Sequence, residues 1–295
     1  MSEARVAGLV GLGLVGQALG QRLRAQGWRT LGYDIRREAR EMFSAAGGES
    51  AATLREVGGT CEEVVLAVFD TRGVIDVLES AEGLLAGGHR VQAVIDCSTG
   101  SPGEVEQLAA RLAKRQIDFI ESPLSGSSEQ IEAGEAVALL GGDGEAIARH
   151  ADLLSCIASE RIHAGGAGTG ARAKLATNLV LGLNRAVLAE GMAFGEALGI
   201  DPALFLKLVL ATPARSAAAQ VKGPLMVARD FAPRSRVRQH LKDVELMLDA
   251  ARHAGLQLPF SEIHARLMRD AVAAGEGELD NAAILLRLLK KNKNA

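Results

Sequence analysis

The glycine pattern at the beginning of the chain constrains the fold more than any other feature of the sequence. Three glycines lie in Gly11–Gly16, directly after the apolar run Val6–Val10 and before a stretch of helical periodicity over Gln17–Gln26. A strand, a glycine turn and a helix in this order form the first unit of a doubly wound sheet, in which parallel strands alternate with helices. The beginning of the chain is therefore predicted to fold as an α/β domain.

Further short apolar runs continue this alternation and then stop. They are Thr30–Tyr33, Val64–Val68, Val91–Ile95, Ile117–Ile120 and Ala136–Leu140. From Gly170 onward only helical patterns remain, and the first of them is a long Ala- and Leu-rich stretch from Ala171 to about Gly199. The sequence thus predicts a Rossmann-type doubly wound parallel sheet over residues 1–164. An all-α domain over 165–295 follows it, and a long helix joins the two.

Composition and charge exclude several classes of protein. A net charge of −3 gives no basis for nucleic-acid binding, and aromatic residues make up only 3% of the chain, so the core must be aliphatic. Cys61, Cys97 and Cys156 are odd in number and widely spaced, so they predict neither a metal motif nor a disulfide framework, and no metal is expected. No apolar run reaches the ~18 residues of a membrane span, and no signal peptide is recognisable. These features predict a cytoplasmic protein.

The glycine segment also has the features of a dinucleotide site. Gly11 permits the tight turn, Gly13 leaves room for a pyrophosphate, and Gly16 lets helix and strand pack closely. The helix N-terminus offers N–H groups and positive potential to phosphates. Asp34 lies about 20 residues further on, where a carboxylate binds the ribose hydroxyls and repels a 2′-phosphate, so NAD is the predicted cofactor. Arg36 and Arg37 follow closely and leave NADP as the second option.

Four further segments appear in the order that one family uses. They are Asp96–Pro102 (Asp-Cys-Ser-Thr-Gly-Ser-Pro), Ser122–Ser127 (Ser-Pro-Leu-Ser-Gly-Ser), Gly165–Asn178 with its glycines, Lys174 and Asn178, and the pair Lys242-Asp243. With the glycine segment, they make nearly the whole chain resemble the β-hydroxyacid dehydrogenases.

The resemblance implies a role for residues in each segment. The implied cofactor-binding residues are Gly11, Leu12, Gly13, Leu14, Val15, Gly16, Asp34, Thr99 and Lys242. The implied substrate-binding loop is Ser125, Gly126 and Ser127, and the implied catalytic residues are Lys174 and Asn178. The family acts on small 3-hydroxy acids or their semialdehydes with NAD or NADP, and it forms oligomers through the helical half.

The chemistry of Lys174 can also be argued from its position. Oxidation of an alcohol by hydride transfer requires a base within hydrogen-bond reach of the hydroxyl proton. Burial and the positive end of a helix both favour the neutral amine of a lysine, which can accept that proton. Asn178 is four residues further along the predicted helix, so it lies on the same face and can orient the substrate or the lysine.

Two departures from the family pattern bear on the substrate. Ser127 replaces a second glycine, so its hydroxyl narrows the pocket or adds a donor. Arg234, Arg238 and Lys242 are spaced by four, and on a helix they would share one face. Arg238 is therefore the candidate contact for a second anionic group on the substrate, although a solvated arginine strip is the competing interpretation.

Two other functions remain open at this stage. An imine reductase would share the architecture but usually replaces the catalytic lysine, and a non-catalytic NAD-binding sensor would need neither Lys174 nor the Ser125–Ser127 loop. A homodimer or homotetramer is expected, because a long helix that is apolar on most sides needs cover on most sides.

Overall fold

We describe residues 5–291 of the chain from a computed structural model. They form two compact units, of which the first ends at Lys174 and the second begins at Leu175. The division lies inside a long helix, later than the sequence-based limit at 164/165. The reason is that the first turns of this helix are hydrogen-bonded to Glu121 and Leu124 of the first unit.

The first unit contains one sheet of nine strands. The strands are β1 (Val6–Val10), β2 (Arg29–Tyr33), β3 (Glu49–Ser50), β4 (Glu63–Leu66), β5 (Ala93–Asp96), β6 (Asp118–Glu121), β7 (Leu124–Ser125), β8 (Val137–Gly141) and β9 (Glu160–Gly165). Their spatial order is β3-β2-β1-β4-β5-β6-β8-β7, with β9 paired to β8. The strands from β3 to β6 are parallel, and the strand order reverses direction between β1 and β4, which is where such sheets bind ligands.

Eight helices belong wholly to the described part of this unit. They are α1 (Leu14–Ala25), α2 (Arg37–Ala45), α3 (Leu54–Thr60), α4 (Thr71–Glu79), α5 (Pro102–Ala113), α6 (Ser128–Ala133), α7 (Gly144–Arg149) and α8 (Ala151–Ile157). Consecutive strand residues belong to different cores, since Leu9 and Val65 lie in one apolar cluster and Val10 and Val64 in another. The central strands of the sheet are therefore buried on both faces, as their continuous apolar sequences predict.

The far edge of the sheet differs from the prediction of parallel pairing throughout. Strand β8 runs antiparallel to both β6 and β7. The chain reverses through β7 and the short helix α6 instead of crossing over the sheet. Strand β9 was not anticipated because its residues are largely polar and exposed, and only its pairing with β8 makes it a strand.

The long helix α9 (Thr169–Ala197) leads into the second unit. The elements that follow are α10 (Pro202–Ala211), α11 (Ala217–Ala228), α12 (Val237–His253), α13 (Pro259–Ala273), a 3₁₀ turn (Asn281–Ala283) and α14 (Ile284–Lys291). This confirms the all-α second half, although α11 was not foreseen because it contains Pro224. No helix between residues 5 and 291 combines the length and apolar character that a membrane span requires.

Candidate active site

The glycine segment folds as a tight turn between β1 and α1. Gly11 has a φ of +90°, and its N–H donates to the Tyr33 carbonyl at 2.9 Å. A Cβ on Gly16 would lie 1.8 Å from the Gly11 carbonyl oxygen, so only glycine fits there. At Gly13 the nearest atom to such a Cβ would be an Arg36 nitrogen at 4.0 Å. The space over Gly13 is therefore open at the N-terminus of α1, and it suits a pyrophosphate.

Asp34 follows β2 and is buried beside this turn. Its carboxylate accepts hydrogen bonds from the Leu12 N–H at 2.7 Å and from the Arg36 N–H at 2.9 Å. The Arg36 guanidinium also donates to both carboxylate oxygens. Burial opposes the charge of Asp34, but the bonds from Arg36 and Leu12 outweigh it and hold the pKa of Asp34 below its usual value. Arg37 instead pairs with Glu41 on the surface.

The segment after β5 is held by short polar contacts. Asp96 accepts from the Ser98 N–H at 2.8 Å, and the Ser98 hydroxyl accepts from the Val68 N–H at 3.1 Å. The Thr71 hydroxyl accepts from the Ser101 N–H at 2.8 Å. Thr99 lies half-buried in this hydrogen-bonded segment, at the carboxyl end of the parallel strand β5. That edge of the sheet is also the one that carries Gly11 and Asp34.

Lys174 is buried in the second turn of α9, with an exposed fraction of only 7%. Its Nζ donates to the Leu124 carbonyl oxygen at 2.7 Å. Leu124 belongs to β7 and directly precedes the predicted substrate loop. The lysine is thus not on the surface but is directed at the Ser125–Ser127 segment of the same unit.

The Ser125–Ser127 loop runs from β7 into α6. Ser127 is the N-cap of α6 and forms a capping box with Gln130. Its hydroxyl accepts from the Gln130 N–H, while its own N–H donates to the Gln130 side chain at 2.9 Å. The N–H of Ser127 is therefore engaged, and the hydroxyl keeps its hydrogen for donation to a ligand. A Cβ on Gly126 would come within 2.9 Å of the Ala136 Cβ.

The helical unit brings Asn178 to the Lys242-Asp243 pair. The Asn178 amide donates to Asp243 at 3.2 Å, and the Lys242 ammonium lies 3.0 Å from the other Asp243 oxygen. Asn178 and Asp243 are buried, and the Lys242 side chain is 13% exposed. The sequence singled out Asn178 and Lys242 separately, but it did not indicate that Asp243 links them.

The arginine strip near α12 is not helical along its whole length. Helix α12 begins at Val237, so Arg234 does not share a helix face with Arg238 and Lys242, as the spacing predicted. The backbone N–H groups of Arg234 and Ser235 donate to Asp280, which holds this segment in a bend outside the helix. Arg238 does lie on the helix, with its guanidinium 2.9 Å from Glu278 and its side chain 59% exposed.

One buried carboxylate near Lys174 was missed. Glu121, the last residue of β6, is 2% exposed, and it accepts hydrogen bonds from Gly168 and Ala171 at the start of α9. A charged residue at the end of the apolar run Ile117–Ile120 was the signal that could have drawn attention to it. Among residues 5–291, no three His, Cys, Asp or Glu side chains are grouped to bind a metal.

Two family models together match most of the chain. The model described as the NAD-binding domain of 6-phosphogluconate dehydrogenase matches residues 6–166. The model described as NAD-binding of NADP-dependent 3-hydroxyisobutyrate dehydrogenase matches residues 168–289.

Individual relatives are similar over nearly their whole length. L-threonate dehydrogenase of Cupriavidus necator is 31% identical over 283 residues, which cover 96% of this chain and 95% of the relative. The structure of 3-hydroxyisobutyrate dehydrogenase from Salmonella typhimurium aligns with a TM-score of 0.85 and 27% identity, covering 95% of this chain and 99% of that one. Psf3 in complex with NADP+ and 2-OPP aligns with a TM-score of 0.87 and 25% identity, covering 96% and 99%.

The parallel sheet with its glycine turn at Gly11–Gly16 and the helical second unit agree with these matches. The protein belongs to the β-hydroxyacid dehydrogenase family and is an NAD(P)-binding oxidoreductase.

Proposed function

We propose that the protein transfers a hydride between NAD and a small 3-hydroxy carboxylic acid or its semialdehyde, with Lys174 as the general acid and base. The observation that carries the proposal is the buried Lys174 side chain, whose Nζ is held 2.7 Å from the Leu124 carbonyl oxygen next to the Ser125–Ser127 loop. A surface lysine would have no reason to be desolvated at this position.

In this proposal Lys174 transfers the proton, and the other residues orient the reacting groups or bind the substrate. When bound, the nicotinamide supplies the hydride acceptor or donor. The Lys174 amine accepts the hydroxyl proton during oxidation and returns it during reduction. The Leu124 carbonyl orients Nζ without adding a charge beside it, and Asn178 orients the substrate or Lys174 from the same helix face. Ser125, Gly126 and the Ser127 hydroxyl bind the substrate carboxylate.

For the cofactor, we propose that the main chain of Gly11–Gly16 binds the pyrophosphate. Asp34 would bind the adenosine ribose, Thr99 would lie beside the nicotinamide ribose, and Lys242 would complete the site. The open space over Gly13 supports binding of the pyrophosphate there, and the hydrogen bonds that fix the segment after β5 support the role of Thr99. We further propose that the protein acts in the cytoplasm, where its three free cysteines would stay reduced.

A substrate panel tests this function against its two alternatives. Purified protein is assayed by the absorbance of reduced cofactor with 3-hydroxy acids, glycerate, serine and cyclic imines. Turnover of hydroxy acids or semialdehydes supports the proposal. Turnover of imines alone would favour an imine reductase, and tight NAD binding without any turnover would favour a sensor.

Arg238 remains the candidate for contact with a second anionic group of the substrate. Because its guanidinium pairs with Glu278, an incoming anion would have to displace that carboxylate. The panel therefore includes acids with a second carboxylate, phosphate or phosphonate. Arg238→Ala is expected to raise KM for the acids with two anionic groups and to leave KM for small monoanionic acids unchanged. Equal effects on the two kinds of acid would contradict a contact between Arg238 and the substrate.

We predict that kcat/KM is at least about tenfold higher with NAD than with NADP. The reason is that repulsion between two partly buried negative charges exceeds about 1.4 kcal/mol, which corresponds to a factor of about ten. Asp34 would repel the 2′-phosphate, and Arg36 is already engaged by Asp34. Arg36→Ala should reduce the remaining use of NADP further. Arg37→Ala is the matched control, because Arg37 pairs with Glu41, and it should leave the ratio unchanged. Equal efficiency with both cofactors in the wild type would refute the preference.

We also propose a homodimer or homotetramer that covers the exposed face of α9. Val180, Val187 and Phe194 are spaced by seven and are 57%, 66% and 64% exposed, and Leu198 continues the same row at 63%. Such a row on a helix is typical of a helix–helix interface.

Light scattering at micromolar protein concentration is expected to give the molar mass of a dimer or a tetramer. Val187→Glu should lower the mass, because a buried charge would interrupt the row. Met42→Glu is the matched control, with an equally exposed apolar residue on α2 of the other unit, and it should keep the wild-type mass. A monomeric wild type would contradict the proposed assembly.

A further inference from the structure

The beginning of α9 is held by a carboxylate that is distant in sequence. Glu121 Oε2 accepts from the Gly168 N–H at 2.5 Å, and Oε1 accepts from the Ala171 N–H at 2.7 Å. The Gly170 N–H also faces this carboxylate and helps to oppose the rise in its pKa. By contrast, helices α6, α7, α10 and α11 are each capped by the side chain of their own N-cap residue. Helix α9 is thus joined to β6 by hydrogen bonds that span 47 and 50 residues.

The Glu121 side chain fits between β6 and α9 because two of its neighbours, Gly141 and Gly170, are glycines. A Cβ on Gly141 would lie 2.4 Å from Glu121 Oε2 and 2.6 Å from the Gly170 nitrogen. A Cβ on Gly170 would lie 2.9 Å from the Glu121 Cβ. All three contacts are closer than real Cβ atoms tolerate, so glycine is required at both positions for the carboxylate to reach the helix.

The same short segment also holds the side chain of Lys174. Leu124 lies three residues after Glu121, and its carbonyl accepts the Lys174 hydrogen bond. The segment Glu121–Leu124 therefore contacts α9 twice, once at its first turn and once at Lys174. Loss of the first contact would let the helix shift along its axis and change the position of Nζ.

We propose that Glu121 is a positioning residue that sets the place of Lys174 by anchoring the first turn of α9 to the end of β6. The inference rests on the proposed role of Lys174 as acid and base. Burial raises the pKa of Glu121, and the three backbone N–H groups only partly oppose that effect. A carboxylate is costly to bury, and an ordinary N-cap would satisfy a helix end at lower cost, so fold stability alone does not account for this arrangement.

Glu121→Gln tests this role with nearly the same side-chain shape. Two N–H groups donate to different oxygens of Glu121, and an amide has only one oxygen, so its NH₂ would face one of these donors. We expect kcat to fall about a hundredfold, as a displacement of about 1 Å can cause. The KM for the hydroxy acid and the Kd for NAD should stay within about twofold of wild type. Hydrogen exchange should become faster in residues 168–174.

Asp201→Ala is the matched control, because Asp201 also accepts two backbone N–H bonds at a helix start, in α10. It should leave kcat unchanged. If Glu121→Gln does not fold, Gly170→Ala keeps the carboxylate but displaces the helix start, and it should produce the same selective loss of kcat.

The outcomes separate this inference from the proposed function. If Lys174→Ala is inactive but Glu121→Gln keeps wild-type kcat, the role of Glu121 is overturned and the function stands. A parallel loss of kcat and of NAD binding in Glu121→Gln would also overturn it, because general disruption of the fold would explain both. If Lys174→Ala remains active, the proposed function fails and the inference fails with it.

Discussion

Replacement of Lys174 by alanine is expected to lower kcat by about a hundredfold to ten-thousandfold, the usual contribution of general acid–base catalysis. Affinity for NAD should stay near the wild-type value, because the cofactor turn at Gly11–Gly16 belongs to elements that the substitution leaves intact. Steady-state kinetics with the best acid of the panel and a fluorescence titration with NADH measure the two quantities separately.

Two variants sharpen this test. Lys174→Arg keeps the positive charge, but a guanidinium does not lose its proton at neutral pH, so this variant should be nearly as inactive as Lys174→Ala. Lys207→Ala removes an exposed lysine from α10 and should leave kcat unchanged. More than a tenth of wild-type activity in Lys174→Ala would refute the proton-transfer role, and full activity in Lys174→Arg would reduce that role to electrostatics.

The second large effect is expected on stability. Asp280 is fully buried, and both of its oxygens accept from the buried Lys222 ammonium at 2.8 and 2.9 Å. Asp280 also accepts the N–H groups of Arg234, Ser235 and Ala282. Asp280→Asn would leave the Lys222 charge buried without its counterion, which costs about 3–5 kcal/mol. Urea denaturation followed by far-ultraviolet circular dichroism should show this loss.

Two further variants show whether the loss of stability in Asp280→Asn comes from the buried, unpaired charge of Lys222. Asp249→Asn removes one partner of the exposed Arg252 pair and should cost less than about 1 kcal/mol. Burial lowers the pKa of Lys222 even with Asp280 beside it. The double variant Lys222→Met/Asp280→Asn should therefore recover part of the loss, because it removes the buried charge. A loss in Asp280→Asn no larger than in Asp249→Asn would contradict the prediction.

Patterns in the sequence predicted those parts of the structure that depend on interactions between neighbouring residues. The turn at Gly11–Gly16 and the strands β1 and β2 follow from neighbouring residues, and they were anticipated nearly to the residue. Contacts between distant segments were not anticipated. Glu121 reaches α9 across 47 residues and Asn178 reaches Asp243 across 65, and no periodicity reports such pairs. The prediction that Arg234 shares a basic helix face was wrong because Asp280, far along the chain, holds that segment in a bend outside the helix.

The scarcity of aromatic residues gives the protein an unusual optical property. Its one tryptophan, Trp28, is buried in the core of the sheet unit, and its one tyrosine, Tyr33, directly precedes Asp34. The helical unit therefore lacks both intrinsic fluorophores. Ultraviolet emission therefore reports only on the sheet unit, while circular dichroism reports on the helices of both units. A change in circular dichroism without a change in emission would thus indicate unfolding of the helical unit alone, and energy transfer from Trp28 to bound NADH would give a direct signal of cofactor binding.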